Sequence, residues 1–391
     1  MAALKDMFTK NLRQSGILIA FVAITLLFTI LTKGVLLDPQ NVTNIVLQYS
    51  YILILAIGML FVIVIGHIDL SVGSVMALVG AIAATMIIKA GMPWWLAVIA
   101  GIGVGLLIGA WQGFWVAYVG IPGFIVTLSG MLLFRGMTFL VLDSVSLSPM
   151  TPEYQAIATG FLNGLLGGMG FDLFTMVVGA LAVVGYAWSQ WRTRMARIKY
   201  EQQVESMALF IVKLVLIAAV VLFFAWKLAT SRGFPIVLFI LAALILIYGY
   251  VSKNTIYGRH VFAIGGNLNA ALLSGVKVKR TLFMAYVNMG LLAGIAGIVY
   301  SSRSNGAQPA AGNGIELDAI AACFIGGAAV TGGVGTVGGA MVGGLVMAVM
   351  TNGMQLMGVP TSIQQIVKGL VLLLAVAFDI WNKRRAAAAK A

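Results

Sequence analysis

The chain has 391 residues, 61% of them hydrophobic and only 9% charged, with a formal net charge of +13. A soluble globular domain carries roughly 25% charged residues, so this composition cannot cover a water-facing surface. One cysteine, Cys323, in an apolar stretch excludes a disulfide framework or a thiol metal site.

The gaps between charges have the length of membrane spans. Between Arg13 and Lys33 lie 19 uncharged residues, between Asp172 and Arg192 another 19, and between Arg280 and Arg303 there are 22. A helix needs about 20 apolar residues to cross roughly 30 Å of hydrocarbon. Segments of about ten residues with alternating polarity, the mark of a membrane barrel, are not found. The fold expected is therefore all-α, a polytopic transmembrane bundle forming one domain over residues 1–391. Its positive charge fits the positive-inside rule rather than a nucleic-acid partner, and the lipid bilayer is its first partner.

Four basic clusters would lie in the cytoplasm: Lys5, Lys10 and Arg13; Arg192, Arg194, Arg197 and Lys199; Lys253, Arg259, Lys277, Lys279 and Arg280; Lys383, Arg384, Arg385 and Lys390. Six spans before the second cluster, two before the third and four after it give twelve, within a range of 10–12. Both termini are then cytoplasmic. The first apolar segment is of full span length with no small-residue cleavage site behind it, so it reads as an uncleaved helix.

In chain order, spans one to five occupy 15–142, with a charge-free stretch at 90–134 long enough for two of them. Asn41-Val42-Thr43 fits a glycosylation sequon, though nothing else suggests a eukaryotic secretory protein. A polar loop, 143–170, follows on the outer face. Span six lies near 173–190 and ends at a basic stretch, 191–205. Two further spans lead to the longest polar segment, 252–281, on the cytoplasmic side. Span nine is 282–300, an outer loop follows at 301–314, a second long charge-free stretch, 319–367, has room for two spans, and the last helix is 363–380.

Two places break the helical pattern inside apolar sequence. One is residues 66–74, Gly-His-Ile-Asp-Leu-Ser-Val-Gly-Ser; the other starts at Ile315-Glu316-Leu317-Asp318 and leads to Gly326-Gly327 and Gly332-Gly333. Interrupted segments at matching places in two halves point to inverted repeats and a transport pathway. Asp69 reads in two ways. It is a side chain accepting from backbone N–H groups at a helix start, with Ser71 and Ser74 doing likewise, or a pathway or gating residue together with Ser71, Glu316 and Asp318.

Residues 333–338 match GxGxxG, but no strand precedes them and no acidic partner follows about 20 residues on. Gly101, Gly105, Gly109 and Gly113, like Gly335, Gly339 and Gly343, instead recur at the four-residue spacing of closely packed helices in lipid. His67 and His260 are too far apart in the chain for zinc chemistry, and no cofactor is expected. No GxxxxGK[ST] occurs, so the chain has no phosphate-cradling loop and is not itself an ATPase. Arg135, Lys213, Lys368 and Asp379 are the few charges within apolar stretches, several near span ends where they could snorkel.

Within 252–281, Asn267 is a good N-cap and Gly275 a good C-terminal stop. They bracket a short helix, 268–274, too short to be stable alone, which must dock against something, a partner protein's groove; the alternative is an ordinary connecting loop with one helical turn.

From Gly258 to Gly275, with Ala270-Ala271 and Gly275 at its heart, the sequence resembles the cytoplasmic loop by which permeases of ABC importers engage their ATPases. Residues 66–74, 113–130 with Pro122 and Phe124-Ile125-Val126-Thr127-Leu128, 315–339, and Gln365-Ile366-Val367-Lys368-Gly369 are also similar to the permeases for ribose, galactose and xylose. The resemblance runs from about Gly16 to Trp381. The extra length around 191–233, a basic loop and one or more added spans, is most like the xylose type. His67 stands where relatives more often have a small or polar residue.

The resemblance implies a type II importer permease working as a homodimer in a bacterial inner membrane, moving a monosaccharide such as xylose. Its partners would be ABC ATPase subunits and a periplasmic sugar-binding protein. Gly266, Asn267, Ala270, Ala271, Ser274 and Gly275 would receive the ATPase's push. Another small solute, or a self-sufficient secondary carrier, is the alternative.

Overall fold

The computed structural model describes residues 12–388 except 169 and 203. Lys5, Lys10 and Lys390 lie outside the described residues, as do the side chains of Arg13, Asp379, Lys383, Arg384 and Arg385.

Helix α1 is Leu12–Leu31, and α2 is Pro39–Val64, opened by Pro39 at its first position and by the Asp38 side chain, which accepts from the Gln40 amide at 3.2 Å. Helix α3, Val72–Ala84, and α4, Trp94–Phe114, each end in a π-turn, Thr85–Lys89 and Trp115–Val119. Helix α5 is Gly123–Leu142, and the short α6, Pro152–Thr159, folds the loop back onto the bundle. Next come α7, Leu173–Lys199, and α8, Met207–Ala229. Two-residue strands β1, Phe161–Leu162, and β2, Phe234–Pro235, pair antiparallel. Helix α9, Ile236–Asn254, leads to α10, Ile256–Gly266, and α11, Leu268–Leu273. The chain closes with α12, Val278–Arg303, α13, Ile315–Ile325, α14, Val337–Leu356, and α15, Thr361–Ala388.

Among the described residues nine helices are long and apolar enough to cross a membrane, and shorter apolar stretches lie in α1 and α15. Three expectations change. The stretch 191–205 is not all loop, because α7 runs unbroken to Lys199. The stretch 319–367 does not hold two full spans: it contains the end of α13, all of α14 and the start of α15. Residues 301–314 are not simply an outer loop, because they turn back into the bundle as far as the start of α3.

Helix α13, with 11 residues, is about 16 Å long, roughly half a hydrocarbon thickness. With the shorter apolar stretches of α1 and α15, the described residues hold eleven apolar helices of span character.

The centre is α2, 89% of whose apolar window is buried. Against it pack α12 and α14, and α12 meets α4 along the glycine series. A Cβ on Gly105 would strike the Gly290 carbonyl, and one on Gly109 that of Tyr286. A Cβ on Gly339 would strike the Gly326 carbonyl, and one on Gly343 that of Ala322. These contacts are the close backbone approach that the four-residue spacing predicts.

Asn41 is no glycan acceptor. Its amide is buried in a reciprocal pair with Asn352 at 2.9 and 3.1 Å, joining α2 to α14.

Candidate functional site

The first break lies where α2 stops. Gly66, at φ +94°, turns the chain, and residues 67–71 run unhelical to α3. Asp69 is 1% exposed; its Oδ1 accepts from the Ser71 amide at 2.8 Å and from Ser71 Oγ at 2.7 Å. Ser71 Oγ in turn accepts from Gln112 Nε2 of α4 at 2.6 Å. A carboxylate at this depth is costly, and the two donated bonds offset part of that cost. Asp69 thus closes a turn before the helix. The capping expected of the two serines is absent: the Ser71 hydroxyl is engaged with Asp69 and Gln112, and Ser74 Oγ is buried without a partner. Thr127 Oγ1 of α5 holds the Ile68 carbonyl at 3.3 Å, and the His67 ring lies 3.3 Å from the Tyr286 hydroxyl. Among the described residues no group of three or more His, Cys, Asp or Glu could hold a metal.

The second break starts at the other end of the bundle. There Leu147 and Ala307 exchange backbone hydrogen bonds, both at 2.9 Å, and Lys89 pairs with Asp143 at 2.6 Å. Residues 304–314 then descend to Gly312, whose backbone abuts that of Gly73 so closely that a Cβ on either would collide with the other. The two interrupted passes therefore come from opposite ends and meet where α3 and α13 begin, with positive φ at Gly312 and Gly314 making the turns.

Of the charges within apolar sequence, Arg135 and Lys368 turn to partners inside the bundle, whereas Lys213 is exposed beside Glu205. Arg135 of α5 donates to the carbonyls of Pro309, at 3.2 Å, and Ala311. The Glu316 carboxylate lies against Gly73 and within electrostatic reach of Arg135. Lys368 of α15 donates to Asp318 of α13 at 2.8 Å.

Beneath both breaks lies the basic segment. Thr255 Oγ1 caps α10 by accepting from the Gly258 amide at 3.1 Å. Asn267 ends α10 and caps α11, its Oδ1 accepting from the Ala270 amide at 3.0 Å, and Gly275 at φ +78° follows the Ser274 C-cap. The short helix is bounded as Asn267 and Gly275 predict. Gly266, Asn267, Ala270, Ser274 and Gly275 are exposed, but Ala271 is 3% exposed and faces its own chain. The outward face is carried instead by Leu268, Leu272 and Leu273, the last 90% exposed.

Three segments converge above α11. The Gly333 amide, in the turn after α13, donates to the Val64 carbonyl at the end of α2 at 2.8 Å. Gly265 of α10 is wedged against both, and Gly332 abuts the Val64 and Gly265 carbonyls. The base of each interrupted pass thus rests on the helix that leads into α11.

Of the sequence candidates, Ser71 joins Asp69 in one knot, Glu316 reaches it through Gly73, and Asp318 stands apart on its ion pair. Sequence reasoning did not find Val64, Gly265, Gln112 or the clamp at Arg135; the Gly265-Gly266 and Gly332-Gly333 doublets were the available signal.

Residues 41–376 match the family described as branched-chain amino acid transport system, permease component. The chain is 43% identical over 375 residues to the xylose transport system permease protein of Escherichia coli (strain K12), spanning 96% of this chain and 93% of that one. The protein of the same description from Haemophilus influenzae is 41% identical over 376 residues, spanning 96% and 98%. The ribose import permease protein of Escherichia coli (strain K12) is 34% identical over 346 residues, spanning 88% and 87%. No solved structure matches the chain.

Proposed function

The chain belongs to this family of transport-system permease components, and we propose that it is the membrane-spanning subunit of an ATP-driven importer that brings a pentose, xylose, across the bacterial inner membrane. The substrate reading rests on likeness along nearly the whole chain, 43% to the xylose permease against 34% to the ribose permease.

The observation that carries the coupling role is the seat of α11. It presents Leu272 and Leu273 outward while the helix before it touches the base of both interrupted passes. ATPase subunits on the cytoplasmic side, where both termini also lie, push on that face. The push reaches Val64 and Gly333 together through Gly265, and so parts Gly73 from Gly312. Asp69, Ser71, Glu316 and Asp318 hold the two helix starts in their closed arrangement. A second copy of the chain completes the path, and a periplasmic sugar-binding protein delivers the substrate. ATP is hydrolysed on the partners, and this chain is not an enzyme.

The test is reconstitution into liposomes with the ATPase and binding protein. Xylose uptake should require ATP and both partners, and ribose should compete weakly. Transport of xylose by the chain alone would overturn the reading.

A further inference from the structure

Helices α7 and α8 form the hairpin least covered by the rest of the chain: only 11% and 6% of their apolar windows are buried. They approach closely at Gly179, where an added Cβ would lie 2.6 Å from that of Ala225. Toward the basic end they part, leaving a cavity of about 240 Å³ lined by Val183, Tyr186, Ala187, Leu214, Ala218 and Val221. Its walls are hydrocarbon apart from one tyrosine, and it is smaller than the roughly 300 Å³ from which sites for whole small molecules start.

What closes the cavity at the basic end is specific. The rings of Trp191 and Phe210 meet there, 6.2 Å between centroids, and the Arg194 guanidinium lies 5.1 Å over Phe210. Arg194 stands seven and eleven residues after Ala187 and Val183, hence on the same helix face as the cavity wall. It also donates to the Glu205 carbonyl at 2.6 Å, which holds the cation at the mouth. Arg192, Arg197 and Lys199 are exposed around it, and Lys213 is 4.0 Å from Glu205.

From this arrangement we propose that the α7–α8 cleft binds one anionic phospholipid. A segment of one acyl chain lies in the apolar cavity and the headgroup phosphate is held by Arg194 and the neighbouring basic residues. A soluble ligand would have to cross hydrocarbon to reach such walls, whereas a bilayer lipid already lies against them. A basic pocket between membrane helices is what selects an anionic headgroup.

The test uses the purified full-length chain in mild detergent, read by native mass spectrometry against phosphatidylglycerol and phosphatidylcholine of identical acyl chains. Wild type should retain one phosphatidylglycerol with about tenfold preference. Ala218→Trp, which fills the cavity, should lose retention of both lipids. Arg194→Gln should lower the headgroup preference about fivefold while leaving apolar retention. Leu214→Trp is the second cavity-filling variant should Ala218→Trp not fold, and Leu246→Trp, on the exposed face of α9, should change nothing. Equal retention of the two lipids by wild type would overturn the proposal, as would phosphatidylglycerol retention untouched by both cavity filling and Arg194→Gln.

Discussion

The Val64 carbonyl accepts a hydrogen bond from the Gly333 amide at 2.8 Å, although 269 positions separate them, and Gly265 is packed against both. A side chain at Gly265 has no room, because its Cβ would overlap the Val64 carbonyl. Gly265→Ala should therefore cost about 1–3 kcal/mol through forced backbone movement. Xylose uptake should fall at least about tenfold, while the chain still inserts and still holds its ATPase. Gly266, one residue on, has nothing within 4 Å of an added Cβ, so Gly266→Ala should leave thermal stability unchanged. Equal thermal shifts for the two variants would remove the wedge.

The exposure of α11 separates docking from folding. Leu273 is 90% exposed and Leu272 53%, while Ala271 is 3% exposed. Leu273→Glu should weaken ATPase association about tenfold, a typical loss for an apolar anchor, with the isolated permease as stable as before. Ala271→Glu should instead destabilise the permease itself, because a carboxylate would be forced into its apolar core. Co-purification and thermal unfolding, measured side by side, should show the two variants failing in opposite assays.

Much of this architecture was legible because the bilayer imposes simple rules on sequence. Charge spacing located the long helices, Asn267 and Gly275 bounded α11, and the glycine series at 101–113 marked a close contact between helices. The half-length α13 was not legible, since an apolar run gives length but not the depth at which a helix starts. Nor were Lys368 with Asp318, Arg135 with Pro309, or Val64 with Gly333. Each pair is distant in sequence, and hydropathy carries no information about which inward-facing charge meets which partner. The burial of Ala271 against its own chain was not legible for a related reason: a six-residue helix is too short for periodicity to identify its buried face.

The ion pair between α13 and α15 gives a second stability test. Side-chain exposure is 24% for Lys368 and 11% for Asp318, so removing one partner strands a charge in a largely apolar setting. Lys368→Met should cost about 3–5 kcal/mol, and Lys368→Met with Asp318→Leu should recover most of it. The result is read as thermal unfolding in detergent. A double variant no better than the single would mean that the pair does more than satisfy its own charges.

Arg135 offers the most direct test of how the second interrupted pass is held. Its guanidinium donates to the Pro309 and Ala311 carbonyls, in a stretch with no helix to satisfy them, and it lies within electrostatic reach of Glu316. Unsatisfied carbonyls at membrane depth cost several kcal/mol each, so Arg135→Met should loosen residues 304–314 before it loosens the bundle. Backbone hydrogen exchange should rise in that stretch and at Gly73, while α2 and α12 stay protected. Arg135→Lys keeps the charge but replaces the guanidinium, one of whose nitrogens serves both carbonyls, with a more strongly hydrated ammonium on a differently shaped stem, and should restore only part of the protection. Exchange rising uniformly across the bundle would mean that Arg135 supports the whole fold, whereas a rise confined to 304–314 and Gly73 would mark the contact between the two breaks as the part of the permease built to open.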